Sequence, residues 1–467
     1  MSVDAIDCQG LGGGMTLGFV QAGAHIVGKM EQTGSDVFMH VVDANRALIG
    51  DDWEGTFGSD HWLPRKVPLV FGNPPCSGFS MMSVRAGGRG GTRGDYRGPQ
   101  ASINSCMWDL VSYAAQCRAE VVVMESVPSA GSDTGKAAGR GLMRALRDHM
   151  ETLTGHQYYL THVFHNGLRL GGSSERRRYF MVLSRAPFSV SVPAVERMPT
   201  LGEVIGDLPH DEDPAANVYY AQDASWWATS RRNATGRVAG NATWFDLFES
   251  DHGGRLYDVI RTGEWRQGEH LGEVVQRFYE RTNGWPGTHW GDKAQQTILR
   301  RPLEKGADYD AVQSGAMTAE DYCAKWGVAD FPPSRPEPWQ GGAYMPKRWR
   351  AYHHAHVMAG NALNDIVHPT QNRTFTYREA ARVMGFPDNW DVTPYYTKPD
   401  GSSNRNGCIV FGKGVLVDSG RWIGEAALTH LGGGTLEDSG ESVGEREFLV
   451  DHKNLGRDVY KRTFLTR

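Results

Sequence analysis

A short apolar run, Val67-Pro68-Leu69-Val70-Phe71, stops abruptly at Gly72-Asn73-Pro74-Pro75-Cys76-Ser77-Gly78-Phe79-Ser80. The run reads as a buried strand closed by turn residues. It leaves one cysteine after a Pro-Pro turn and before a small, flexible segment. A cysteine held at the end of a strand suits a nucleophile: rigid, beside a cleft, and near backbone N–H groups that can lower its pKa. A lone cysteine in a turn is usually a packing residue, so the company it keeps along the chain decides the matter.

That company is an α/β pattern. Residues 1–185 alternate strand-like apolar runs with helical periodicity, which implies an α/β fold with a parallel, Rossmann-like sheet. Strands are expected at Val3–Ile6, His25–Met30, Pro68–Phe71, Glu120–Met124, Gln157–Phe164 and Tyr179–Ser184. Helices are expected at Ser105–Gln116 and Ala137–Thr154. From about 190 to 365 the chain is rich in Trp, Gly, Asn, Asp and Pro with weak periodicity, as in a loop-heavy domain that presents side chains to a partner. A helical pattern returns at Thr376–Met384 and a strand-like run at Cys408–Val417. Residues 435–467 are polar and charged and read as a surface tail.

A chain of 467 residues accommodates two domains, or one with a large insertion. No apolar run approaches the roughly 20 residues needed to span a bilayer. The opening Met1-Ser2-Val3-Asp4 lacks the basic and apolar regions of a signal peptide. Cysteines at 8, 76, 106, 117, 323 and 408 show neither CxxC pairing nor metal-type spacing, so no metal is expected. The expected location is the cytoplasm of a bacterial cell or phage-infected host, where Cys76 stays reduced. A net charge of −5 argues against non-specific nucleic-acid binding over the whole surface. A local basic loop remains, in which Arg85, Arg89 and Arg93 sit among glycines close behind Cys76 and Ser80. These four are candidates for phosphate contacts from a mobile lid.

Further motifs follow the sheet pattern. The first strand runs into Gln9-Gly10-Leu11-Gly12-Gly13-Gly14, where glycines let a backbone approach a nucleotide-like ligand and open a helix behind it. Glu31 ends the second strand, placed to accept from ribose hydroxyls. No Lys-Ser/Thr follows the glycines, which disfavours a nucleoside triphosphate. Glu125 ends the run Val121-Val122-Val123-Met124, on the ligand-binding edge of such a sheet, where burial would raise its pKa. Arg176, Arg177 and Arg178 precede another strand; three adjacent arginines call for carboxylates, phosphates or a base edge.

In this order the segments resemble the DNA cytosine-C5 methyltransferase family. Pro75-Cys76-Ser77-Gly78-Phe79-Ser80 is similar to its Pro-Cys-Gln-x-Phe-Ser, Glu125-Ser126-Val127 to Glu-Asn-Val, and Ser174-x-Arg176-x-Arg178 to Gln-x-Arg-x-Arg. The stretch from Arg373 through Arg378, Glu379, Arg382, Gly385, Phe386 and Pro387 is similar to Arg-x-Leu-Thr-x-Arg-Glu-x-Ala-Arg-x-x-Gly-Phe-Pro. Gly412-Lys413-Gly414-Val415 falls where Gly-Asn-x-Val belongs. The resemblance implies a catalytic and cofactor-binding domain at 1–188, target recognition at 189–368, a return to the catalytic domain at 369–434 and a tail at 435–467. It implies a monomer acting on double-stranded DNA with no membrane association. The implied catalytic residues are Cys76, Glu125, Arg176 and Arg178. Gly10, Gly12, Gly13, Gly14, Glu31, Gly412, Lys413 and Val415 would line the site for S-adenosyl-L-methionine.

Three departures stand out. Ile6-Asp7-Cys8 replaces Asp-x-Phe, so an aromatic contact to the cofactor is lost and Asp7 is displaced by one position. Ser174 replaces a glutamine. Lys413 replaces the asparagine of the last motif, beside the donor's sulfonium. Two unit charges about 5 Å apart repel by roughly 3 kcal/mol at an effective dielectric of 20. An anion between them would remove that penalty. The carboxylate of carboxy-S-adenosyl-L-methionine, a known bacterial metabolite, would supply it, and the product would be 5-carboxymethylcytosine. An ordinary methyl transfer, a tRNA substrate and an inactive DNA-binding homologue are the competing expectations.

Overall fold

A computed structural model describes residues 2–31, 36–50, 54–57, 66–76, 79, 104–134, 138–193, 197–208, 266–269, 301–328, 330–333, 347–355, 366–370, 375–396, 400–401, 407–455 and 457–464. The chain divides into two compact units. One comprises Met1–Asp211, Tyr352–Gly360 and Tyr377–Arg467; the other comprises Glu212–Ala351 and Asn361–Thr376.

The first unit opens with β1 (Val3–Cys8), α1 (Gly14–Ala22), β2 (Ala24–Glu31), α2 (Asp36–Ala44), β3 (Glu54–Phe57) and β4 (Leu69–Gly72). It continues with α3 (Ser105–Gln116), β5 (Val121–Ser126), α4 (Arg140–Thr154), β6 (Tyr159–Asn166), β7 (Arg177–Ser184) and α5 (Leu201–Ile205). The second unit contributes α6 (Arg301–Gln313), α7 (Ala319–Trp326), β8 (Lys347–Arg348) and β9 (Ile366–Val367). The first unit then resumes with α8 (Tyr377–Val383), α9 (Gly407–Lys413), α10 (Val417–Leu431), β10 (Glu441–Gly444), β11 (Glu447–Asp451) and α11 (Arg457–Phe464).

Nine strands form one sheet in the order β10-β11-β6-β7-β5-β4-β1-β2-β3. β4, β1 and β2 lie side by side and parallel, which brings the chain ends after Gly72, Cys8 and Glu31 to one edge. The wholly parallel expectation is corrected at β7, which runs antiparallel to both β5 and β6. The link Gly167–Arg176 is too short for the crossover that a parallel neighbour needs. Beneath the sheet, α3 and α4 bury Met107, Leu110, Val111, Leu142, Met143 and Leu146 in a core shared with Val70, Val122 and Met181. The buried positions of α4, at 142, 143, 146 and 150, form one helical stripe that opposes a charged face. A left-handed Gly155 ends the helix.

On the other side α1 packs against α10 through small residues. A Cβ added at Gly18 would lie 2.5 Å from Val417 O, and one at Gly424 3.0 Å from Ala22 Cβ. The first and last motifs of the chain are thereby neighbours in space.

Two further expectations change. The run Cys408–Val417 holds a helical turn, α9, rather than a strand. A short apolar run does not distinguish the two by pattern, and the helix buries Val410 and Phe411 together. Residues 435–467 are no tail: β11 pairs with β6, and α11 buries Phe464 against Leu168 and Met198. Their polarity is used inside the fold. Glu447 accepts from Arg144 at 2.8 and 3.0 Å and contacts His162 at 2.9 Å, while Arg446 pairs with Glu151. Thr200 caps α5, and Arg382 of α8 donates to Val204 O at 3.1 Å and pairs with Asp207 just past that helix.

In the second unit, α6 and α7 are joined by Trp326 Nε1–H donating to Asp308 at 2.9 Å, and Phe331 stacks on Tyr309. β8 and β9 pair in parallel.

Candidate active site

The loop after β1 has unusual backbone: Gln9 (φ 67°), Leu11 (φ 50°) and Gly13 (φ 85°) are all left-handed. The other glycines answer to protein neighbours rather than to ligand approach alone. A Cβ would lie 2.1 Å from Asp7 Oδ1 at Gly10, 2.2 Å from Val410 Cγ1 at Gly12 and 2.1 Å from Val415 O at Gly14. Trp390 backs Gly13 and packs against Phe386 in a tilted ring pair with centroids 4.5 Å apart. The structure therefore brings together Gly10, Gly12, Gly13, Gly14 and Val415 as the sequence suggests.

Beside this loop lies a buried charge cluster. Lys29 Nζ is 2.8 Å from Asp7 Oδ2 and 2.8 Å from Glu31 Oε1, with none of the three appreciably exposed. Thr16 Oγ1–H donates to Asp7 Oδ2 at 2.5 Å, and Leu11 N–H donates to Glu31 Oε1 at 3.0 Å. Burial pushes the Glu31 carboxyl up to about 7, against the pull of Lys29. Asp7 thus answers an internal lysine. Cys8, where an aromatic is expected, is buried in the core. Glu31 Oε2 is buried and has no hydrogen-bond partner among the described residues. An orphaned carboxylate oxygen at the carboxyl end of a parallel strand fits a ligand hydroxyl such as a ribose diol.

Cys76 is half-buried, four residues past the end of β4, and its carbonyl accepts from Phe79 N–H at 3.0 Å. Burial, then Glu125, push its thiol up; Arg178, Arg176 and the Val127 N–H pull the other way. The backbone donor expected from the sequence is present, but desolvation outweighs it. Glu125, at the end of β5, is buried, with Oε1 2.9 Å from Arg178 Nε. Burial raises the Glu125 carboxyl while Arg178 and Arg176 oppose the rise. The site is thus a cysteine, a carboxyl group held towards protonation, and two guanidinium groups within electrostatic reach.

Arg176 is fully buried, and its Nη2 donates to the carbonyls of Gly412 (2.9 Å) and Gly414. Arg178 instead keeps partial exposure beside Glu125. Lys413 is exposed, and its carbonyl accepts from Asn73 Nδ2 at 3.1 Å. Ser174 is buried in a bridge to Ala355. Ser80, Arg85, Arg89 and Arg93 lie outside the described residues, as does all of the expected lid except Phe79.

Sequence reasoning missed Lys29, Asn73 and Trp390. A lysine inside an apolar strand was the signal for the first, since it must meet a buried acid. Asn73 and Trp390 carry no comparable mark.

The profile of the C-5 cytosine-specific DNA methylase family matches residues 8–427. No curated protein matches the chain in sequence. Among solved structures, the chain is similar to a prophage-encoded E. coli protein assigned as a DNA modification methyltransferase, with 15% identity and a TM-score of 0.48, covering 92% of this chain and 100% of that one. It is also similar to a DNMT2 variant from Spodoptera frugiperda, with 12% identity and a TM-score of 0.41 over 91% and 100% of the two chains. The methyltransferase EhMeth of Entamoeba histolytica gives 10% identity and a TM-score of 0.47 over 92% and 99%. With a mixed α/β sheet of the methyltransferase type and a profile match over nearly its whole length, the chain belongs to the C-5 cytosine-specific DNA methylase family and is a transferase.

Proposed function

We propose that this transferase alkylates C5 of a cytosine turned out of double-stranded DNA, with Cys76 as the nucleophile. The observation that carries this is the grouping of Cys76, Glu125 and Arg178, with Glu125 2.9 Å from Arg178 and both perturbing the Cys76 thiol. Cytosine C5 is too weak a nucleophile to take an alkyl group directly, which calls for covalent activation. Cys76 gives up its proton to water and adds as thiolate to C6. Glu125, kept towards its protonated form by burial, holds N3 and the exocyclic amine and protonates N3. Arg178 holds the O2 edge. C5 takes the new carbon as its bond to sulfur breaks and leaves a neutral thioether; loss of the C5 proton to water, return of the N3 proton to Glu125 and expulsion of the Cys76 thiolate then restore the ring. Extruding the base costs a few kcal/mol, offset by these contacts.

S-adenosyl-L-methionine or its carboxylated form supplies an electrophilic carbon on a sulfonium when bound. Glu31 would hold its ribose, and the Gly10–Gly14 loop with Gly412, Lys413 and Val415 would line the remainder. Residues 189–368 supply the surface for sequence reading, and the protein acts as a monomer in the cytoplasm. The group transferred turns on Lys413. No carboxylate pairs with its side chain among the described residues, which supports a carboxylate on the donor as its partner and 5-carboxymethylcytosine as the product. Its exposure favours the second reading, in which the ammonium stays in water and an ordinary methyl group is transferred.

Mass spectrometry of nucleosides from DNA treated with enzyme and each donor separately tests this. A carboxymethyl product with the carboxylated donor supports the first reading, and loss of that preference in Lys413→Asn assigns it to the ammonium. A methyl product alone establishes the second. No modified cytosine with either donor overturns both.

A further inference from the structure

We infer that Asn73 is a positioning residue for donor transfer, fixing the turn that bears Lys413 relative to the nucleophile. This rests on the reading above only in taking Cys76 as nucleophile and Gly412–Val415 as part of the donor site.

Asn73 is buried at the point where three segments meet. Its backbone N–H donates to Gln9 O in the glycine loop at 3.2 Å, and its side-chain Nδ2–H donates to Lys413 O at 3.1 Å. The strand end before it has no play. A Cβ on Gly72 would lie 1.7 Å from Cys8 O, so β4 is pressed against β1 there. After it come Pro74 and Pro75, whose rings fix φ and make the link to Cys76 stiff. A shift of Asn73 is therefore passed to the nucleophile rather than absorbed.

The same turn is gripped from a second side. Arg176 Nη2 donates to the carbonyls of Gly412 and Gly414, flanking the one that Asn73 holds. Three successive carbonyls, at 412, 413 and 414, are thus tied to side chains that lie just ahead of Cys76 on one segment and Arg178 on the other. The donor-side turn is registered against both groups that meet the base. Side-chain amides that hold backbone carbonyls in this way locate a loop without touching a ligand.

The test uses full-length Asn73→Asp, which keeps the shape but removes the donor, and Asn73→Ala. Donor KM and kcat, the product ratio between the two donors, and affinity for DNA are measured for each. The expected result is a loss of about tenfold in kcat/KM for the donor, since small misplacements of reacting groups are costly. It should come with a changed donor ratio where both donors react, a raised donor KM, and DNA affinity and melting temperature close to wild type. Unchanged donor KM and kcat in both Asn73 variants would overturn the inference. If Asn73→Asp unfolds, Asn73→Ala decides it. Failure of the functional reading is separate: wild-type enzyme would then form no adduct on 5-fluorocytosine DNA with either donor.

Discussion

Lys29 and Asp7 face each other across paired β2 and β1, Nζ 2.8 Å from Oδ2, with neither side chain exposed. Glu31 closes the group from the other side of the lysine at 2.8 Å. One ammonium serves two buried carboxylates, so the lysine holds the Glu31 carboxyl in place. Removing one partner of a buried ion pair costs about 3–5 kcal/mol, because the remaining charge is stranded. Lys29→Met should therefore lower the urea midpoint strongly. Lys29→Met with Asp7→Asn should recover part of that loss, and a double-mutant cycle in urea measures the coupling. Independent, additive effects would count against a shared cluster.

Glu31 gives a pH dependence with a definite sign. Its carboxyl stands at about 7 in the fold against an ordinary 4.5. Between those values the folded state holds a proton that the unfolded chain has released, so this group makes stability fall as pH rises from about 4.5 to 7. Donor binding runs the other way, because the ionised carboxylate is the better acceptor for ribose hydroxyls. Donor affinity should rise several-fold as pH increases through about 7. Glu31→Gln should flatten that profile and bind the donor more weakly at pH 8. Calorimetric titration with S-adenosyl-L-methionine at a series of pH values checks it.

How much of this was readable beforehand follows from what each residue answers to. β1, β2, β4 and β5 were legible because continuous apolar runs ended at turn residues. The candidate residues Glu31, Cys76 and Glu125 stood out because they sit at or just past those strand ends. Asp7 and Lys29 were legible in principle, since charges in apolar strands must pair, but the pairing needs the register of two strands 22 positions apart. The direction of β7 depended on the length of a link rather than on pattern. Residues 435–467 read as a tail because the partners of their charges, Arg144 for Glu447 and Glu151 for Arg446, lie roughly 300 positions away in the sequence. Local polarity cannot reveal a partner so remote.

The thiol of Cys76 should be sluggish towards alkylation in the resting enzyme, because burial and Glu125 hold its proton. Removing the acid's charge should speed the reaction, and removing the guanidinium should slow it. Iodoacetamide labelling at pH 8, read at the Cys76 peptide by mass spectrometry, should be roughly 2–5-fold faster in Glu125→Gln and slower by a similar factor in Arg178→Met. Catalysis should nevertheless fall in both. A Glu125→Gln variant that labels more slowly than wild type would mean that the carboxylate does not act on this sulfur.

The closing strand supplies the last prediction. Burial alone would raise Glu447, but His162 and Arg144 outweigh it and hold the carboxyl down at about 2. A folded value below the ordinary 4.5 means stability that is present above that pH and lost as pH falls through about 2. The difference corresponds to about 3 kcal/mol. Glu447→Gln should therefore destabilise the protein at pH 7 by up to that amount and remove most of the acid sensitivity between pH 4.5 and 2. Because β11 pairs along β6, truncation after Gly434 should do more than the point change. It would uncover the β6 edge, including Leu160 and Val163, and leave His162 without its carboxylate. Loss of cooperative unfolding in the truncated chain, with aggregation through that bared edge, is the expected result. A truncated protein that melts like wild type would return these residues to the status of a surface appendage.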